Sequence, residues 1–175
     1  MRYLRDRAFV LRRINFGDYD RVIILFTKDH GKVEVIAKGV RKITSRRSGA
    51  IELLNLIEFQ AVKSRKNYIL TEAALTRSFD HLKRDLVHLE KVFLMCEVID
   101  GVMPHGVPHP EIFDLMIRAA NHAAADPKTL TYFQAKLLSL LGFWDGRKSF
   151  KDDSHVRSFM EQILERKLKA EGIFA

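Results

Sequence analysis

Residues 21–38 read RVIILFTKDHGKVEVIAK. The first seven, RVIILFT, are nearly all aliphatic, aromatic or β-branched, which is the composition of a strand. The tetrad Lys28-Asp29-His30-Gly31 interrupts the run with turn residues, and Gly31 can take the positive φ that a tight turn needs. Residues 32–38 then alternate: Val33, Val35 and Ala37 share one face, and Lys32, Glu34, Ile36 and Lys38 the other. Two strands joined by so short a turn form an antiparallel hairpin.

The flanking sequence continues the pattern. Residues 8–14 (AFVLRRI) are a strand, separated from the hairpin by a polar break at Asn15 to Asp20 that contains Gly17. Residues 51–63 read as one long apolar strand, Ser64-Arg65-Lys66-Asn67 as a second hairpin turn, and residues 68–74 as a fifth strand. Five strands in about 75 residues suggest a small barrel, because closure removes the exposed edges of short strands. An oligonucleotide-binding (OB) barrel and an SH3-like barrel both fit this pattern.

After residue 79 the period changes. Leu82, Leu86, Leu89, Phe93 and Cys96 step along one helical face, and Val87, Leu94 and Val98 widen it, which predicts a central helix ended by Gly101 and Pro104. A second helix covers residues 111–125, with Ile112, Leu115, Met116, Ala119 and Ala123 inward. Asp126-Pro127 predicts the start of a third, carrying Phe133, Leu137, Leu138 and Leu141 and stopped by Gly142. Ser154 is the expected cap of a fourth helix, with Val156, Phe159, Met160, Ile163, Leu164 and Leu168 on one side. The expected class is α+β: a five-stranded barrel domain at residues 1–79, then an all-α bundle at residues 80–175.

Charge divides at the same place. The chain of 175 residues carries a formal net charge of +8. Residues 1–79 hold 17 Lys and Arg against 8 Asp and Glu, and residues 80–175 hold 13 against 14. The basic half points to an anionic partner, nucleic acid foremost. Cys96 is the only cysteine, so neither an intramolecular disulfide nor a Cys-rich zinc site is expected. The N-terminal residues lack the apolar run of a secretory signal, and no stretch approaches the length of a membrane span, so a soluble cytoplasmic protein is the expectation.

Enzyme motifs are missing. Gly31-Lys32 lacks the preceding glycine and the following Ser or Thr of a phosphate-binding loop, and no GxSxG or HExxH occurs. His105 and His109 are spaced for a helical metal site, but Pro104, Pro108 and Pro110 forbid a helix there. His81 and His88 can share a helix face but have no third ligand, Asp18 and Asp20 read as a solvated turn, and Asp152 and Asp153 precede a helix, where the dipole favours them. No nucleophile, base and orienting group come together, so a non-enzyme without a cofactor is expected.

The strongest local signal is GVRKITSRRSG at residues 39–49, which lies next to Lys38. Lys38, Arg41, Lys42, Arg46 and Arg47 fall within ten residues, with no acid among them. A loop bracketed by Gly39 and Gly49 can lay such groups against successive phosphates, giving salt-sensitive, sequence-tolerant binding. Lys63, Arg65 and Lys66 form a second cluster at the second hairpin. Arg12 and Arg13 point to opposite strand faces, so at most one joins a given surface, and Arg13 is counted with the candidates. Phe16, Tyr19, Phe59 and Tyr68 are possible stacking platforms for bases, though strand aromatics more often belong to a core.

The ordered series VL…GDYDR…LFT…HGKV…AKGVRK…SR from Arg7 to Gly49, with LTEAAL at residues 70–75 and FQAKLLSLLGF at residues 133–143, resembles the RecO family of bacterial DNA repair and recombination mediators. The resemblance implies an OB barrel followed by a helical domain. It implies binding of single- and double-stranded DNA, annealing of complementary strands, and work with RecR and single-strand-binding protein in recombinase loading. It assigns phosphate binding to Lys38, Arg41, Lys42 and Arg46, and it implies a cytoplasmic, nucleoid-associated location. Many members carry a four-cysteine zinc site after the LLGF helix. Residues 144–154 (WDGRKSFKDDS) have no cysteine, so zinc is not expected. The chain is also short for the family, which implies a reduced helical domain. An adaptor with incidental nucleic-acid affinity and an RNA-binding OB protein are the alternative readings.

Overall fold

The computed structural model describes residues 3–148 and 150–170. The chain divides into two compact units: residues up to Ser78 together with Met103–His109, and Phe79–Val102 together with the residues from Pro110 onward.

The first unit is a closed five-stranded barrel in the order β1-β2-β3-β5-β4, with β1 paired back to β4. Its strands are β1 (Tyr3–Phe16), β2 (Asp20–Thr27), β3 (Gly31–Ala37), β4 (Leu56–Lys63) and β5 (Tyr68–Arg77). All neighbours are antiparallel except β3 and β5, which meet in parallel at Val35–Tyr68 and Ile36–Ile69. This closed, reordered barrel is the OB arrangement, which decides between the two barrels the sequence left open.

β1 is longer than its composition suggests because it serves two neighbours. Tyr3 to Phe9 pair with β4, and Ala8 to Phe16 pair with β2. A bulge between Val10 and Arg12 bends the strand where it changes partner. The interior is filled by inward residues including Val10, Ile23, Leu25, Val35, Ile57, Phe59 and Leu70.

The long apolar strand expected at residues 51–63 begins only at Leu56. Residues 51–55 form turns, with Leu54 at a positive φ of 62°. Their apolar character has another use: Ile51 and Leu54 are fully buried, and Ile51 belongs to the barrel core. The backbone of this segment pairs with β1 beside the bulge, Val10 N donating to Asn55 O at 3.0 Å and Leu54 N to Val10 O at 2.9 Å.

The second unit has a 3-10 turn at Asp80–Leu82 and four helices: α1 (Leu86–Val102), α2 (Pro110–His122), α3 (Thr129–Leu140) and α4 (Asp153–Leu164). α1 starts one turn later than the apolar stripe predicted, because the Asp85 carboxylate caps it by accepting from His88 N at 2.9 Å. That N–H, and the His88 ring after it, hold the Asp85 pKa below its ordinary value. Leu86 and Val87, expected inward, are exposed in consequence, whereas Val92, Leu94, Met95, Cys96, Val98 and Ile99 bury most of the later circumference. Asp126 turns the chain ahead of α3 instead of capping it. Gly142 ends that helix region at φ 76°, as its sequence position predicts. α4 is capped by Asp152, which accepts from His155 N at 2.8 Å, and not by Ser154. Among the described residues no helix is long and apolar enough to cross a membrane.

On α1, Glu97 accepts hydrogen bonds from the backbone N–H groups of Lys169 and Ala170, both at 2.9 Å, and pairs with Arg166. Burial pushes its pKa up, but the guanidinium and the two N–H groups prevail and hold it below the ordinary value. The contact therefore stabilises the unit above the unfolded carboxylate pKa and is lost as pH falls through the lower folded value. Urea midpoints measured from pH 7 to 3 should fall less steeply for Glu97→Gln than for the native chain.

Gly31 has two reasons to be glycine. Its φ is 69°, and an added Cβ would lie 2.3–2.5 Å from backbone atoms of Val107. The segment Met103–His109 runs along the β3 edge there, with His105 bridged to Lys32 and Gly106 N donating to Lys32 O at 3.0 Å. Gly31→Ala should cost more than about 2 kcal/mol, since the left-handed conformation alone costs roughly 1–2. Gly17→Ala, at φ 58° with open space around it, should cost less; urea unfolding of both variants measures the difference.

Candidate nucleic-acid interface

Between β3 and β4 the chain makes consecutive turns from Lys38 to Asn55. Its composition predicts a flexible strap, but both ends are anchored. Val40 near the start and Ala50 and Ile51 near the end are buried in the barrel core. Asn55 Nδ2 donates to the carbonyls of Gly49 and Ala50 at 3.0 and 2.9 Å. Inside the loop, Lys42 N donates to Gly39 O at 3.1 Å and Ser45 N to Lys42 O at 2.9 Å. The loop is a folded cap, so its cations stand at defined places.

The β1–β2 turn is tied to this cap. Gly39 N donates to the Asp20 carboxylate at 2.7 Å, Arg41 N to Tyr19 O at 2.9 Å, and Arg41 Nη1 to Gly17 O at 3.2 Å. Lys42 Nζ lies 5.4 Å from the centre of the Tyr19 ring. Asp18, Tyr19, Asp20, Lys38, Gly39 and Lys42 line a shallow cleft. Asp20 therefore positions the cap, whereas the sequence presented it only as half of a solvated pair.

The sequence-predicted cations separate by what they touch. Lys38 and Arg46 are exposed, and their side chains have no hydrogen bond or ion pair among the described residues. Arg41 and Lys42 are exposed and reach only the β1–β2 turn. Arg47 is committed: Nη1 donates to Leu70 O at 2.6 Å and Nη2 to Lys38 O at 2.8 Å, joining the loop to β5 and to the end of β3. Arg13 pairs with Glu52 at 2.5 Å, a partner 39 residues away. Lys63 lies 5.9 Å from the Tyr68 ring centre, and Arg65 and Lys66 are exposed on the second hairpin. That hairpin precedes Tyr68, which pairs with Val35, whereas Arg47 meets β5 at Leu70. The two basic clusters thus flank the short β3–β5 seam.

The aromatic candidates separate in the same way. Phe59 is a core residue and Tyr68 packs against the core, but Phe16 and Tyr19 are exposed. Ile43, at the tip of the basic loop, is also exposed; periodicity offered no signal for it, because it lies outside any regular element. The paired histidines do not converge: His81 bonds Ala120 O at 3.0 Å, and His88 bonds Asp85.

Arg46→Ala and Arg47→Ala remove the same charge but should differ in stability. Arg47→Ala should cost about 1–3 kcal/mol, because two charge-assisted bonds to backbone are lost. Arg46→Ala should stay within about 0.5 kcal/mol of the native chain. Urea titration of both variants checks this.

Residues 1–79 match the family model described as Recombination protein O N terminal. The chain is 32 % identical over 141 residues to the DNA repair protein RecO of Symbiobacterium thermophilum, covering 78 % of this chain and 55 % of that protein. It is 30 % identical over 145 residues to that of Desulforudis audaxviator, covering 82 % and 58 %. To that of Desulfitobacterium hafniense it is 32 % identical over 138 residues, covering 78 % and 50 %. The chain therefore spans little more than half the length of these relatives.

Proposed function

The chain belongs to the RecO family, and from that premise we propose that it is a DNA-binding recombination mediator that anneals complementary strands without hydrolysing a nucleotide. One observation carries the reading: a cap pinned into an OB barrel presents Lys38, Arg41, Lys42 and Arg46 outward, with Lys63, Arg65 and Lys66 across the β3–β5 seam. In this reading the exposed cations screen two phosphate backbones from each other while their bases pair. Arg13 and Arg47 hold the platform in shape through Glu52 and through two carbonyls.

The same reading covers single- and double-stranded DNA as ligands, RecR and single-strand-binding protein as partners in recombinase loading, and the bacterial nucleoid as location. The helical unit supports a contribution from a protein partner. α3 and the residues on either side of it line a cleft of about 690 Å³ in which Tyr132, Trp144 and Phe150 lie among three lysines, Lys128, Lys136 and Lys148, and two aspartates, Asp126 and Asp153. Trp144 is stacked on Phe150 with ring centres 4.0 Å apart. Apolar rings edged by lysines suit a short peptide that is both apolar and acidic, such as the tail of single-strand-binding protein.

The test is the triple variant Arg41→Ala/Lys42→Ala/Arg46→Ala, which spares Arg47 and its bonds to Leu70 and Lys38 and keeps the backbone ties of the turn to the cap, with a urea titration to check that it is folded. For a single strand, each lost phosphate contact should lower the magnitude of the slope of log K against log salt by about 0.7, so the triple variant should lower it by about 2. Annealing of complementary oligonucleotides should slow in parallel. Undiminished annealing by this variant, with loss of annealing only when partner binding is lost, would show an adaptor instead.

A further inference from the structure

We propose that the edge formed by Phe16, Tyr19 and Ile43 holds unstacked bases, so that this site grips a single strand more tightly than the duplex it forms. The inference rests on the nucleic-acid reading above and deepens it from phosphates to bases.

Three large apolar side chains stand out from one pair of joined loops. Phe16 is 55 % exposed, Tyr19 54 % and Ile43 fully exposed. An isolated exposed apolar residue needs no explanation. Here, however, Phe16 ends β1, Tyr19 lies in the β1–β2 turn and Ile43 in the cap, and three hydrogen bonds tie turn and cap together: Arg41 N to Tyr19 O, Arg41 Nη1 to Gly17 O, and Gly39 N to Asp20. The Tyr19 ring therefore stands beside Lys42, with Nζ 5.4 Å from its centre, and shares a cleft with Lys38. A surface that met phosphates alone would have no use for exposed rings. Aromatic faces set among cations are what a strand with splayed bases requires, and an aliphatic tip such as Ile43 is the kind of side chain that enters between bases.

The cleft beside Tyr19 supports the same assignment. Asp18 and Asp20 line it together with Lys38 and Lys42. Carboxylates repel a phosphate but accept hydrogen bonds from the amino and imino groups of base edges. Phosphates are thus directed to the outer cations and a base to the cleft. Paired bases in a duplex offer neither their faces nor their pairing edges. When two strands anneal, the base contacts are withdrawn and only phosphate contacts remain. The site would then hold its substrate tightly and its product loosely, as repeated annealing requires.

Fluorescence anisotropy with three labelled ligands of equal length tests this: an ordinary single strand, an abasic phosphodiester strand and a duplex. The native chain should bind the ordinary strand at least about tenfold more tightly than either of the others, since each stacked base contributes roughly tenfold. Phe16→Ala/Tyr19→Ala should bring the three affinities within about threefold of one another, and Ile43→Ser should move them part of the way. Equal binding of the ordinary and abasic strands by the native chain, which needs no variant, would overturn this inference and leave the phosphate reading standing. Retention of the tenfold preference by a double variant that melts like the native chain would overturn it as well. Failure of the native chain to bind any of the three, or binding insensitive to salt, would overturn the phosphate reading and this inference together.

Discussion

Val40 and Ile51 lie at opposite ends of the basic loop, and both are buried in the core of the barrel. A loop carrying Lys38, Arg41, Lys42, Arg46 and Arg47 repels itself, and on charge alone it would spread into solvent. Burial of a full-sized aliphatic side chain contributes about 1.5–3 kcal/mol, more than the repulsion between a few exposed charges in water. The apolar anchors therefore prevail, and the loop folds down as a cap. The β1–β2 turn docks on it, the cations take fixed places, and the Tyr19 ring stands beside Lys42.

Within this arrangement a positive charge has two uses. Some cations serve the fold. Arg47 satisfies the carbonyls of Leu70 and Lys38, groups at the margin of the short parallel pairing between β3 and β5. Arg13 neutralises Glu52 where the cap returns to β1. A guanidinium suits such positions because its planar fork can reach two acceptors at once. The side chains of Lys38 and Arg46 have no hydrogen bond or ion pair among the described residues, and they are exposed to an anionic ligand.

The helical unit shows a similar division. α1 is buried around most of its later turns, and Glu97 on it gathers Arg166 and the backbone of Lys169 and Ala170. After α3 the chain is held by rings: Trp144 stacks on Phe150, and Phe159 and His155 pack edge-on against them. Trp144 also donates to Lys148 O at 2.8 Å, which closes the turn between them. Aromatic packing supplies a local cluster in this stretch and leaves a cleft with a ring-lined floor.

Much of this was legible in the sequence. The alternation around Lys28-Asp29-His30-Gly31, the change of period after residue 79, the stop at Gly142 and the segregation of basic charge are local patterns, and local patterns survive folding because side-chain direction follows backbone period. The family resemblance was carried by the same stretches. The tertiary structure alone decided what depends on distant partners. The apolar run at residues 51–55 became a cap and not a strand, because barrel closure at the β1 bulge left those residues an interior to fill. Arg47 was indistinguishable from Arg46 until β5 arrived 23 residues later to offer its carbonyl. Composition determined that this chain would present a basic, barrel-shaped surface, but which charges and rings face outward was settled only when strands far apart in sequence closed on one another.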